Sequence, residues 1–170
     1  MIVGNGDIAS VLKDKKELLF FASGVSKSRE RRQSEYQREI DLLFKQDKSK
    51  HLVYFSSLCI FYSKSRYTRH KIQMEELVKK NFNHYTIIRM GNITWGKNPN
   101  TLINYLRRMT KEGKQIKIKD TFRYLVNKEE FLHWINMIPN WNCEMNITGQ
   151  RLKVAAIFKQ YVETRKGRNS

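Results

Sequence analysis

The chain has 170 residues, of which 40% are apolar and 12% aromatic, enough to bury a core as one domain and too apolar for disorder. No apolar run approaches the roughly 20 residues that span a bilayer, and the N-terminus MIVGNGDIAS lacks the basic and apolar regions of a signal peptide. A total of 33 Lys and Arg against 16 Asp and Glu gives a net charge of +17.

A cytoplasmic protein without a membrane span is the expectation. Cys59 and Cys143 stand apart, with no C-x-x-C and no nearby paired His, so neither a zinc site nor a disulfide framework is indicated and no metal is expected. The basic residues are interleaved with acids, as in KKELL, RERRQSEYQREID and KIQMEELVKK, a pattern that makes solvated helix faces. Such a surplus also attracts polyanions. No helix-turn-helix, zinc-finger or aromatic-plus-basic RNA signature stands out, so nucleic acid is not the expected partner.

In chain order, Met1 to Val3 reads as a strand entering a tight turn at Gly4, with a helix beginning over Asp7 to Leu12. Leu18 to Ala22 reads as a second buried strand, closed by Ser23-Gly24. Arg29 to Phe44 places Tyr36, Ile40, Leu43 and Phe44 near helical spacing, which predicts an amphipathic helix. Leu52 to Phe55 is a third strand, Tyr67 to Lys80 a second amphipathic helix, and Tyr85 to Arg89 a fourth strand. Thr101 to Thr110 reads as a helix, Ile116 to Ile118 as a short strand and Glu129 to Ile138 as a helix. Met145 to Ile147 reads as a last strand before a helix from Arg151 to Thr164, with the tail KGRNS frayed. Short apolar strands alternating with helices predict an α/β fold with a mostly parallel sheet covered on both faces.

Gly4-Asn5-Gly6-Asp7-Ile8-Ala9 is G-x-G-x-x-A, placed after the first strand where a dinucleotide fingerprint belongs. The first Gly permits the tight turn, the second lets a pyrophosphate approach, and free N–H groups hold the anion. An ordinary strand-to-helix turn has the same letters. The fingerprint's acidic residue, which binds the adenosine ribose at the end of the second strand, has no counterpart in LLFFASGV.

Tyr-x-x-x-Lys occurs twice, at Tyr67/Lys71 and at Tyr124/Lys128, and by composition it is cheap. The second copy lies across a strand-to-helix boundary with no serine partner. The first follows Ser56-Ser57 at a strand end, and Tyr67 and Lys71 share one helix face. An ammonium beside a tyrosine stabilises the phenolate and lowers a pKa that is otherwise near 10. A serine hydroxyl then holds the oxygen that exchanges its proton with the tyrosine.

On these residues the chain resembles the extended short-chain dehydrogenase/reductases, in particular the NAD-dependent sugar-nucleotide epimerases and dehydratases. Leu19 to Ser23 is similar to that family's fourth strand, and Tyr54 to Phe61 to its fifth, "SSxxVY". Tyr67 to Lys71 with Glu75 resembles "YxxSKxxxE", and Ile87 to Gly96 resembles "iiRpxNvyG" with Arg89, Asn92 and Gly96. Arg123 to Val126 is similar to "RdfvhV", and Met145 to Ile147 to "yNv". The resemblance implies a Rossmann-like three-layer αβα fold over residues 1–170. Residues 1–95 would form the cofactor and catalytic core, and residues 96–170 a small substrate-side segment. It implies NAD or NADP at Gly4, Asn5, Gly6, Asp7, Ile8, Ala22, Ser23 and Lys71. Ser57, Tyr67 and Lys71 would be catalytic, and Ser57, Asn92 and Arg123 would contact a nucleotide-linked sugar or similar anionic small molecule.

Several features depart from the family. The chain runs from the first helix straight to the family's fourth strand, so it is truncated: the two strands of the adenosine pocket are absent. A right-handed crossover would then move Asp7 to Leu12 to the other face of the sheet and remove the dinucleotide switch point. Leu58-Cys59 stands where the 4,6-dehydratases carry Asp-Glu, which argues against dehydration. Ser57 and Tyr67 are only ten positions apart, His70 replaces a serine, and Met90 replaces a proline. The resemblance implies a homodimer through the Tyr67/Lys71 helix and its predecessor, against which the charge of Arg29 to Arg38 argues.

Three readings follow. The first is an NAD(P)-dependent reductase or epimerase acting on a nucleotide-linked sugar. The second is a catalytically degenerate relative, serving as a binding or assembly partner in carbohydrate (surface polysaccharide) biosynthesis. The third is a basic nucleic-acid-binding α/β domain.

Overall fold

The computed structural model describes residues 1–163. The elements are β1 (Ile2–Val3), β2 (Leu18–Phe21), α1 (Gln33–Phe44), β3 (His51–Ser57), α2 (Arg66–Asn81), β4 (Tyr85–Met90), β5 (Asn92–Ile93), α3 (Leu102–Lys111), β6 (Phe122–Val126), α4 (Lys128–Asn136), β7 (Cys143–Ile147), β8 (Gln150–Lys153) and α5 (Val154–Tyr161). A wholly parallel sheet runs in the order β1-β2-β3-β4-β7, and a small second sheet in the order β5-β6-β8. The fold is the expected Rossmann-like α/β arrangement.

The two faces of the main sheet carry separate cores. Leu19, Phe21, Leu52, Tyr54 and Ile87 point to one face and pack with Leu43 of α1 and Met74 and Val78 of α2. Phe20, Val53, Phe55, Ile88 and Ile147 point to the other and pack with Phe131 and Ile135 of α4. This alternation is the two-residue period of a strand buried on both sides. Ser65 caps α2 by accepting from the Thr68 N–H at 3.1 Å, which starts the helix so that Lys71 points back to the sheet.

The stretch after β1 departs from expectation. Asp7 to Leu12 forms only a three-residue 3₁₀ turn, Ala9–Val11, rather than an α-helix. Ile8, Val11 and Leu12 pack on the α4 face, opposite α1 and α2. The connections β1→β2, β2→β3 and β3→β4 all step the same way across the sheet. The first therefore has the opposite hand to the next two, an exception to the rule for parallel crossovers. Its anchors account for this. Lys15 Nζ reaches the end of α4 at Ile135 O (3.3 Å) and Asn136 Oδ1 (3.1 Å), and the Trp95 indole N–H donates to Asp7 O at 3.0 Å.

Two further expectations are corrected. Ile116 to Ile118 is not a strand; β6 forms instead at Phe122–Val126, where β5 and β8 supply pairing on both edges. Arg151 to Lys153 belong to β8 rather than to the last helix, which starts at Val154. Thr164 and the tail KGRNS lie outside the described residues.

Candidate functional site

Ligands of open α/β sheets bind beyond the carboxyl ends of the strands. Gly4 and Ala22 follow β1 and β2, Ser57 closes β3, Tyr67 and Lys71 lie on α2, and Asn92 and Arg123 lie in β5 and β6 of the second sheet. The main-sheet register pairs Ser57 with Met90 at the ends of β3 and β4. Ser57 opens the 3₁₀ turn Leu58–Phe61 and accepts from the Cys59 N–H at 3.2 Å, which leaves its own O–H as a donor. Its neighbour Ser56 is buried and donates to Glu75 Oε1 at 2.5 Å, in a network that Glu75 shares with Arg89.

Tyr67 and Lys71 lie one turn apart on α2, with the Lys71 ammonium 5.8 Å from the Tyr67 ring centroid. The Tyr67 hydroxyl makes no hydrogen bond among the described residues. Burial pushes its pKa well above the usual tyrosine value, and the neighbouring Cys59 and Glu39 add to the effect. That is the reverse of what an acid/base tyrosine at neutral pH needs.

Lys71, the cation that could oppose this burial, is committed elsewhere. Its ammonium is 3% exposed and has three acceptors: Tyr54 Oη at 2.9 Å, Glu39 Oε1 at 3.1 Å and Phe55 O at 3.4 Å. An ammonium has three protons, so none is left for a ligand. Glu39, fully buried on α1, is saturated too. It accepts from Val25 N (2.7 Å), Tyr54 Oη (2.9 Å), His70 Nε2 (3.0 Å) and Lys71 Nζ (3.1 Å), which fills the four lone-pair positions of a carboxylate. Burial alone would raise its pKa; Lys71, His70 and the Val25 N–H outweigh burial and hold it well below the usual carboxylate range. With its charge matched at this distance, Lys71 has little field left to lower Tyr67. The segment after β2 lies over the pair: a Cβ at Gly24 would come within 2.7 Å of Lys71 Nζ and 2.9 Å of Glu39 Oε1.

Glu39, Tyr54 and His70 were not among the expected site residues. A signal existed for Glu39. It sits between Tyr36 and Leu43 on the buried face of α1, where an acid is out of place unless it is paired.

The remaining expected residues divide. In the glycine turn, no described group accepts from the backbone N–H groups of Asn5 to Ile8, and Gly6 faces open space. Asp7 is committed: its carboxylate accepts from the Lys97 and Asn98 N–H groups, both at 2.9 Å. Ala22 lies against Gly4, and Ser23 is held by Arg38, whose Nη1 and Nη2 reach its Oγ (3.3 Å) and O (3.2 Å). Asn92 donates to Tyr124 O at 3.2 Å and keeps its amide oxygen open. Arg123 Nη1 donates to Phe122 O at 2.8 Å and Thr121 Oγ1 at 3.2 Å, leaving Nη2 and Nε.

The parallel β1-β2-β3-β4-β7 sheet, with helices on both faces, defines a Rossmann-like α/β domain. Among solved structures it is similar to MoeE5, solved with UDP-glucuronic acid and NAD (15% identity, TM-score 0.70, 88% of this chain and 62% of that one). It is similar also to the UDP-glucose 4-epimerase of Thermotoga maritima, solved with UDP-glucose (16%, 0.67, 91% and 62%). A third is the capsular polysaccharide assembling protein CapF of Staphylococcus aureus (18%, 0.60, 90% and 46%). The chain thus spans less than two thirds of each. No protein-family model matches it, and no curated protein is detectably similar in sequence.

A nicotinamide dinucleotide fits this chain only in part. The open Gly6 and the unpaired turn N–H groups suit its phosphates. Among the described residues β1 is the edge of the sheet, and the two strands of the family's adenosine pocket do not follow it. The cofactor contact that the resemblance implies at Lys71 would have to displace Glu39, Tyr54 or Phe55.

Proposed function

We propose that this chain recognises a nucleotide-linked sugar, or a similarly anionic small molecule, beyond the ends of β1 to β4 and does not carry out hydride transfer on it. It then serves as a binding or assembly partner in carbohydrate biosynthesis. The observation that carries this reading is the saturation of Lys71 by Glu39, Tyr54 and the Phe55 carbonyl. The hydroxyls of Ser57 and Tyr67 and the Asn92 amide oxygen are free to meet sugar hydroxyls, and the open Nη2 and Nε of Arg123 to meet phosphate. That MoeE5 and the Thermotoga epimerase are solved with UDP-sugars supports the ligand class. The reductase or epimerase reading is favoured by the same free hydroxyls at Ser57 and Tyr67 and would require Lys71 to leave its partners.

Isothermal titration with UDP-glucose and UDP-glucuronic acid tests the ligand. Saturable binding is expected, weakened about tenfold or more in Arg123→Ala, the size of a lost hydrogen bond to a charged group. No saturable heat with either ligand, or equal affinity in Arg123→Ala, would remove the assignment.

A further inference from the structure

The net charge of +17 is not absorbed by a cleft that binds one small anion. Pairing of β6 with β8 creates a surface that no single run of sequence displays. The antiparallel register sets Phe122 opposite Lys153 and Tyr124 opposite Arg151, so these four side chains share one face. The alternate residues Leu125 and Leu152 turn the other way and pack on Ile103, Leu106 and Ile157. Neither β6 nor β8 contains a carboxylate.

Phe122 is 42% exposed, with the Arg151 guanidinium carbon 3.7 Å from its ring centroid and the Lys153 ammonium 5.8 Å away. A guanidinium lying this close to a ring keeps its outer plane free, and bases stack on aromatic rings and on guanidinium planes alike. Lys153 also pairs with Asp120 at 3.0 Å, which holds it beside the ring. Lys117 and Lys119 are exposed in the segment entering β6. Stacking surface flanked by cations suits a chain of bases and phosphates, and the unabsorbed charge suits a ligand with many phosphates rather than two.

We propose that the outer face of β6 and β8 is a stacking platform for single-stranded nucleic acid, with Phe122 and Arg151 receiving a base and Lys153, Lys117 and Lys119 meeting phosphates. It lies on the face of β6 opposite Leu125 and does not depend on what the cleft binds.

Fluorescence anisotropy with labelled oligouridine and oligothymidine, at low and at physiological salt, tests it on the full chain. Salt-dependent binding is expected, with Phe122→Ala losing at least about fivefold in affinity, the low end of one stacked base, and Phe122→Tyr retaining it. Arg151→Gln should cost more than Arg29→Gln, an equal charge change at an exposed position remote in sequence. The half-exposed Phe122 makes its alanine variant a mild change to the fold; if that variant fails to fold, Phe122→Tyr and the two arginine variants carry the test. The proposal is overturned if Phe122→Ala and Arg151→Gln behave like Arg29→Gln, if duplex DNA binds as tightly, or if uridine monophosphate competes as well per molecule as the oligonucleotide. Absence of binding at low salt overturns it equally.

Discussion

Replacing Glu39 by alanine is expected to destabilise the protein by about 3–5 kcal/mol, the cost of removing one partner from a buried ion pair. For a chain of this size that corresponds to a fall in Tm of about 6–20 °C. The effect is large because four groups lose their carboxylate acceptor at once: the Lys71 ammonium, the His70 ring N–H, the Val25 backbone N–H and the Tyr54 hydroxyl. The double variant Glu39→Leu/Lys71→Met removes both charges together, and it should recover much of the loss because an apolar pair has no charge to strand. The pH dependence has a definite sign. Glu39 titrates below its ordinary value of 4.5 in the folded chain, so its contribution is complete above pH 4.5 and is lost as pH falls below it. Thermal melts of wild type and Glu39→Ala should differ fully at pH 7 and converge in acid. A Glu39→Ala variant within about 0.5 kcal/mol of wild type, the range of an ordinary surface change, would mean the pair does not hold the fold together.

Alanine at Gly4 is expected to cost at least about 2 kcal/mol, at the strained-backbone scale, whereas alanine at Gly6 should be near neutral. Gly4 adopts φ +125°, a region that L side chains avoid, and a Cβ there would sit 2.4 Å from the Ala22 carbonyl oxygen. That obstacle is backbone and cannot rotate away. It would force β1 off β2, which it meets only at Ile2↔Phe20 and Val3↔Phe21. A Cβ at Gly6 would meet nothing within 4 Å. The first glycine of the turn is therefore needed for strand packing whether or not a ligand binds, and the second is the position where an anion could approach. Urea denaturation of the two variants separates these roles; equal midpoints would show that Gly4 is not structurally required.

Much of the architecture was legible in the sequence. LLFFA, LVYF and YTIIR are apolar runs too short for buried helices, and all three became central parallel strands. Gly4 follows β1, Ser57 closes β3, and Tyr67 and Lys71 share one turn of α2. The failures share a physical cause: pairing and charge partners distant in the chain. IKIKD alternates as well as FRYLV does, but only FRYLV finds strands on both edges. Asp7 to Leu12 has helical letters, yet the short link to β2 and its ties to Trp95 and α4 leave room for one turn. Lys71 was read as an ammonium aimed at Tyr67, since nothing local in Arg66 to Asn81 reveals the Glu39 carboxylate brought in from α1. A lysine's neighbours decide its role, and these come from α1 and β3.

The central claim is that Lys71 is committed to Glu39 and the site does not transfer hydride. The most direct measurement follows nicotinamide absorbance while the purified chain is incubated with NADH or NADPH and a UDP-linked 4-keto sugar, and with NAD and UDP-glucose. No change above the protein-free rate is predicted, in wild type and in Tyr67→Phe alike. Turnover in wild type that Tyr67→Phe abolishes would contradict the account and restore Ser57, Tyr67 and Lys71 as a working catalytic set.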